Sequence, residues 1–325
     1  VRNRQNPFAN YSIVFVGYCS GDAHVGDVAR SWAVPSGADV AQRGYRNARA
    51  AVEWAKVNLG GTQLSSLLVA GSSAGALGAQ IWAKTLLREF SYKDAAVIAD
   101  SYAGVFPPFV QGWIQQASGL CQTGLLDGVL QFRCQTGTID VQSVFEDTMR
   151  SFPRVAFASV DSKIDKVQIA FYEAIYASLI RTVDLIPPLQ KFSGELAIIY
   201  RRYNLQPNWV SYMVDSAQHM YLCKDVMYRT KPGGTSTSDV AEGAVSLVGL
   251  GFSGRSTPLT EWLAGFPLKA GGAVRSECRS AGLSVALPTS MLGRLKGLLG
   301  MALAPTASVA MGLTGLGHCD LGQAD

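Results

Sequence analysis

Two periods of apolar spacing organise the first hundred residues. In YSIVFVGYC, residues 11–19, Ile13, Val14, Phe15 and Val16 form one unbroken apolar run. Such a run predicts a strand covered on both faces of a parallel sheet. The loop from Ser20 to Asp27 follows, where ligand contacts gather in sheets of this kind. From Arg46 to Leu59 the spacing becomes helical, with Ala48, Val52, Ala55 and Leu59 on one stripe and Gly60-Gly61 as the stop. A second apolar run, Leu67 to Ala70, meets Gly71-Ser72-Ser73-Ala74-Gly75 and then a helical pattern reaching residue 90. DAAVIAD, Asp94 to Asp100, predicts another strand. Strand and helix in alternation predict an α/β fold built on a doubly wound, mostly parallel sheet with helices on both faces.

The second half is less regular. Residues 105–155, with Pro107-Pro108, Trp113 and two cysteines, read as a lid-like insertion. Phe157 to Val160 predicts a strand and Asp161 to Asp165 the loop at its end; Val167 to Ile180 predicts a helix. ELAIIY, ending at Tyr200, fits helix or strand. Trp209 to Val214 predicts a last strand, ending in Asp215-Ser216-Ala217-Gln218-His219. Lys231 to Ser238 reads as a loop and PLTEWLAGF, 258–266, as a short helix. From about residue 280 the chain is rich in Ala, Gly, Leu and Ser, and 297–317 carry no charge. That length would suit a membrane span, but the glycines and Pro305 argue instead for a poorly packed tail. The expected layout is one domain over 1–278 and a low-complexity tail over 279–325.

Composition narrows the function classes. With 48% hydrophobic and 16% charged residues the chain is globular, and a net charge of +4 from scattered Lys and Arg leaves no nucleic-acid footprint. Six cysteines without a C-x-x-C pair, and only three histidines, argue against structural zinc. Cys121 and Cys134 could close a small loop, and Cys223, Cys278 and Cys319 longer ones. The sequon Asn10-Tyr11-Ser12 fits passage through a secretory pathway. No signal peptide is visible and the chain opens on Val1, as expected of a processed form or a fragment.

The candidate chemistry sits at Gly71-Ser72-Ser73-Ala74-Gly75. Strand, G-x-S-x-G and helix make a nucleophile elbow: Ser73 stands on a sharp turn, and the Ala74 amide can bind an oxyanion at the helix start. With 34 glycines in 325 residues, simple close packing of strand and helix is the competing explanation. No G-K-[ST] follows, which argues against a phosphate loop. A serine nucleophile needs a base and a carboxylate to orient it. His219 fits the chain order serine, acid, histidine; His24 precedes the serine and His318 lies in the tail. Asp100, Asp161, Asp165, Asp184 and Asp215 all remain open as the acid. Asp165 also reads as a helix N-cap, and Asp22 with His24 as a loop-ordering pair.

Asn6-Pro7-Phe8 followed by VFVGYCSGDAHVGD resembles a segment of the pectin acetylesterase family, which includes the Notum carboxylesterases. Gly44-Tyr45-Arg46-Asn47 leading to Trp54, the GSSAGALGA elbow, Asp100-Ser101, Asp165-Lys166-Val167-Gln168, Ser216-Ala217-Gln218-His219 and Thr257 to Trp262 resemble further family segments in the same order. The resemblance spans about residues 6–278. It implies an α/β-hydrolase-like fold with Ser73 as nucleophile, Asp165 as acid, His219 as base and the Ala74 amide as one oxyanion donor. It also implies a secreted enzyme acting on O-acetyl esters of pectin or a related polysaccharide, without metal or cofactor. Lipid-ester or protein deacylation, and glycan binding without catalysis, are the alternatives. The family's E-G-G-G-W-C-type segment, which helps build the oxyanion hole, would precede residue 6, so half of that hole is expected to lie outside this sequence.

Overall fold

The computed structural model describes residues 3–31, 39–59, 61, 63–179, 188–232, 234, 245–246, 257–266 and 284–285. A short antiparallel hairpin, β1 (Val28–Ser31) and β2 (Asp39–Gln42), leads into helix α1 (Gly44–Leu59). Then come β3 (Leu64–Ser72), α2 (Ala74–Glu89) and β4 (Tyr92–Asp100). Residues 105–155 carry α3 (Val110–Ala117), α4 (Gly128–Gln135) and α5 (Val141–Ser151). The chain continues through β5 (Ala156–Ser162), α6 (Lys166–Leu179), α7 (Pro188–Tyr203), β6 (Trp209–Val214) and α8 (Leu259–Leu263).

Strands β3, β4, β5 and β6 form one parallel sheet in that order. Because the strands succeed one another in a single direction, right-handed crossovers bring their connecting helices onto one face. On that face Ala83 and Leu87 of α2, Phe145 and Met149 of α5, and Leu196 and Tyr203 of α7 pack over Val97, Phe157 and Trp209. The alternate side chains, Ala96, Ile98, Ala158, Val160, Tyr212 and Val214, meet Tyr221, Val226 and the Leu259–Trp262–Leu263 surface of α8 on the other face. The sheet is therefore covered on both sides, as its near-continuous apolar strands require. ELAIIY is helical within α7. Its apolar spacing fits both periods, and Phe192, Leu196 and Ile199 supply the i, i+4, i+7 stripe that docks on the sheet.

Helix α1 forms an outer layer, with Ala48 and Val52 against Ile81 and Trp82 of α2. The segment 105–155 splits in two. Helix α5 belongs to the core, whereas α3 and α4 lie outward with Phe109, Trp113, Val129 and Phe132 exposed. A disulfide joins Cys121 to Cys134, and Lys84 of α2 reaches Asp127 and Asp147 at 2.8 and 2.7 Å. Cys19 and Cys223 are exposed and outside this bond; Cys278 and Cys319 lie outside the described residues, as does nearly all of the tail, including 297–317.

Residues 11–19 depart from expectation. They form no strand: Ile13 is 61% and Phe15 83% exposed, while Val16 packs, partly buried, against the apolar cluster that includes Ile81 and Trp82. An unbroken apolar run shows that side chains gain from burial, but a strand also needs a neighbouring backbone to pair with. Among the described residues no strand pairs with this segment.

Candidate active site

The site lies at the carboxyl ends of the parallel strands, where such sheets place their ligands. Ser73 follows β3 directly, with φ 57° and ψ −123°, a conformation sparsely populated by any residue other than glycine. Close packing dictates the turn. A Cβ on Gly71 would sit 2.0 Å from the Gly75 carbonyl oxygen, so this position admits only glycine, while a Cβ on Gly75 would meet open space. The elbow thus needs its first glycine for packing. Ala74 opens α2, so its N–H belongs to the first helical turn, whose amides have no partner within the helix.

Ser73 Oγ lies 2.8 Å from Nε2 of His219, which follows β6, and His219 Nδ1 lies 2.8 Å from Asp165 Oδ2, after β5. Asp165 is completely buried and His219 nearly so. The cap and acid descriptions of Asp165 apply to its two different oxygens. Oδ1 accepts from the Val167 and Gln168 amides at the start of α6, at 2.9 and 3.0 Å. Oδ2 accepts from Gln168 Nε2 at 3.0 Å and faces the imidazole. Capping thus fixes the carboxylate's rotamer and aims its other oxygen at His219.

The loops carrying Asp165 and His219 are zipped beyond the strands: the amides of Lys163, Ile164 and Lys166 donate to the carbonyls of Val214, Ser216 and Ala217. Lys163 and Asp215, both buried, form an ion pair at 2.5 Å between the same loops. The His219 carbonyl accepts from Gln218 Nε2 and from Lys224 Nζ. Ser162 Oγ bonds the Gln218 carbonyl and the Tyr221 hydroxyl.

The other candidate acids occupy distinct places. Asp100, fully buried, accepts from Ser72 Oγ, Ser101 Oγ and the Tyr221 and Leu222 amides. Burial pushes its pKa up, against these donors. Asp161 accepts from Tyr200 Oη at 2.5 Å and from Gln168 Nε2 at 3.0 Å. Burial raises it to about 8, against both donors and with the charges of Asp165 and Asp100 adding to the rise. Asp215 pairs with Lys163, and Asp184 lies outside the described residues. Asp22 orders its loop, accepting from Ser20 Oγ, the His24 amide and the Gly44 amide at the start of α1. The His24 ring lies tilted against Tyr18 with centroids 4.9 Å apart, its carbonyl accepts from Trp82 Nε1, and burial lowers its pKa. His318 lies outside the described residues. Among the described residues no cluster of His, Cys, Asp or Glu is arranged to hold a metal, and no helix is long and apolar enough to cross a membrane.

The pectinacetylesterase family model matches residues 2–174. The chain belongs to this family of carboxylic ester hydrolases. No curated protein matches it by sequence. Solved structures similar to it include two crystal forms of the Wnt deacylase Notum from Drosophila. Form II is 14% identical, with a TM-score of 0.48, covering 81% of this chain and 70% of that one. Form I is 15% identical, with a TM-score of 0.43, covering 66% and 61%. The chain thus spans 61% of the length of the form I structure. The match ends at residue 174, so Ser73 and Asp165 fall inside it and His219 beyond it.

Proposed function

We propose that this pectinacetylesterase-family chain is a serine carboxylesterase that removes O-acetyl groups from pectin or a related polysaccharide. The reading rests on one observation above the rest, the continuous chain Ser73 Oγ, His219 imidazole, Asp165 carboxylate with both links at 2.8 Å. Ser73 Oγ attacks the ester carbonyl carbon while its proton passes to His219 Nε2. Asp165 holds the Nδ1–H tautomer and stabilises the imidazolium. The Ala74 N–H, at the positive end of α2, receives the developing oxyanion. The C–O bond to the sugar then breaks, and its oxygen takes the proton from Nε2, leaving an acetyl group on Ser73. Water gives a proton to His219, attacks the acetyl carbonyl, and releases acetate as Ser73 recovers its hydrogen.

The disulfide between Cys121 and Cys134 favours an oxidising compartment, in keeping with a secreted enzyme. Turnover of p-nitrophenyl acetate, with acetylated pectin as polymer substrate, tests the reading. Ser73→Ala should lower kcat by about 10⁶-fold. Undiminished activity in that variant overturns the mechanism. A chain that binds the glycan yet resists a fluorophosphonate probe is instead a non-catalytic relative, and preference for long acyl chains over acetyl marks a lipid-ester or protein deacylase.

A further inference from the structure

We propose that Asp100, acting with Ser101, is a positioning residue that sets the separation between the nucleophile elbow and the histidine loop. The inference rests on Ser73 being the nucleophile. Asp100 closes β4, between the strand that carries Ser73 and the strand before Asp165. Its carbonyl accepts from the Ser73 amide at 2.8 Å. Its Oδ2 takes Ser72 Oγ at 2.6 Å and the Tyr221 and Leu222 amides at 3.0 and 2.9 Å, so the elbow and the histidine loop meet on one oxygen. Ser101 Oγ donates to Asp100 at 2.8 Å and accepts from the Met220 amide at 2.9 Å. The residue before Ser73, Ser73 itself and the three residues after His219 therefore converge on one dipeptide.

The backbone supports this assignment. Ser73, Ser101 and Met220 have φ of 57°, 60° and 66°. Residues other than glycine keep such conformations only where their surroundings over-determine them, and these cluster at functional sites. Here all three belong to a single hydrogen-bonded unit. The donors around Asp100 are two hydroxyls and two amides, a set suited to a carboxylate, which only accepts. None of them is the imidazole, whose Nδ1 faces Asp165. Asp165 orients the histidine; Asp100 sets how far that histidine stands from the serine. A displacement of about 1 Å between reacting groups can cost about 10² in rate, so the clamp should govern kcat.

Full-length Asp100→Asn, Ser101→Ala and Ser72→Ala variants test this by p-nitrophenyl acetate kinetics, rate of fluorophosphonate labelling, melting temperature and the downfield proton signal of the His219–Asp165 hydrogen bond. Asp100→Asn should lower kcat and the labelling rate about 10²-fold with KM within about twofold, because ground-state binding is untouched. The hydroxyl deletions should each cost about tenfold. The downfield proton should persist in all three, since the Asp165 side is unaltered. If Asp100→Asn does not fold, the two hydroxyl variants decide by the same readings. Folded variants with unchanged kcat, with a rise in KM alone, or with the downfield proton lost would each overturn the proposal. A wild-type chain that neither labels nor turns over ester overturns the esterase reading itself, and the clamp's role with it.

Discussion

DAAVIAD in β4 and SIVFV within residues 11–19 are apolar runs of the same kind. In β4, Ala96, Val97 and Ile98 are completely buried, with β3 on one side, β5 on the other and packed side chains on both faces. In the other run Phe15 is 83% exposed and no strand lies alongside among the described residues. The residues are equally apolar; what differs is the lateral hydrogen-bonding partner. Burial of a strand is thus a property of its neighbours before it is a property of its own side chains. The same contrast holds across the site. Asp165 and His219 stand on zipped, buried loops, whereas Ser73 follows β3, which among the described residues has a strand neighbour on one side only.

Substitutions can break this contrast, beginning with the buried loops. Asp165→Asn keeps the cap on α6 but presents the wrong partner to His219 Nδ1, and kcat should fall about 10⁴-fold with little change in melting temperature. Next is the pair of runs. Ile98→Ala should lower stability by about 2–5 kcal/mol in urea unfolding. Phe15→Ser should stay within about 0.5 kcal/mol of wild type, because little apolar surface is lost from the interior. A large loss at Phe15 would mean that the segment is held by something other than what surrounds it here. On the elbow, Gly71→Ala should cost about 1–3 kcal/mol by thermal denaturation, since backbone crowds its Cβ. Gly75→Ala should cost about 1 kcal/mol at most.

The last test is a slope. Asp161 keeps its proton in the folded chain to about pH 8, but in the unfolded chain only to about pH 4. Between those values the folded state binds more protons, so stability falls as pH rises. The contribution is fully present below the unfolded value and lost as pH passes the folded one. Asp161→Asn should therefore show a shallower decline in melting temperature from about pH 5 to about pH 8 than wild type.

Much of this architecture is legible in the sequence because it is local. The stripe Ala48–Val52–Ala55 yields α1, and WVSYMV yields β6 with the bounds observed. G-x-S-x-G between strand and helix marks the elbow. The acid is not local. Five aspartates satisfied chain order, and the four among the described residues differ only in three dimensions: Asp100 faces hydroxyls and amides, Asp161 faces Tyr200, Asp215 faces Lys163, and Asp165 faces His219. The Asp100 unit had a faint signal, an Asp-Ser pair at the end of an apolar strand. What it binds lies about 120 residues downstream, beyond any local pattern. Residues 11–19 were illegible for the opposite reason, a strong local pattern whose pairing partner no pattern can supply.

The sequence separation of 146 between Ser73 and His219 sets an order of events during folding. The elbow and α2 can form as soon as β3 and β4 meet, but the imidazole arrives only after β5 and β6 have docked in turn. A chain still emerging from the ribosome would hold its serine long before it held a base. Regain of ester hydrolysis on refolding should then lag behind the recovery of helical signal, timing the closure of the last parallel strand.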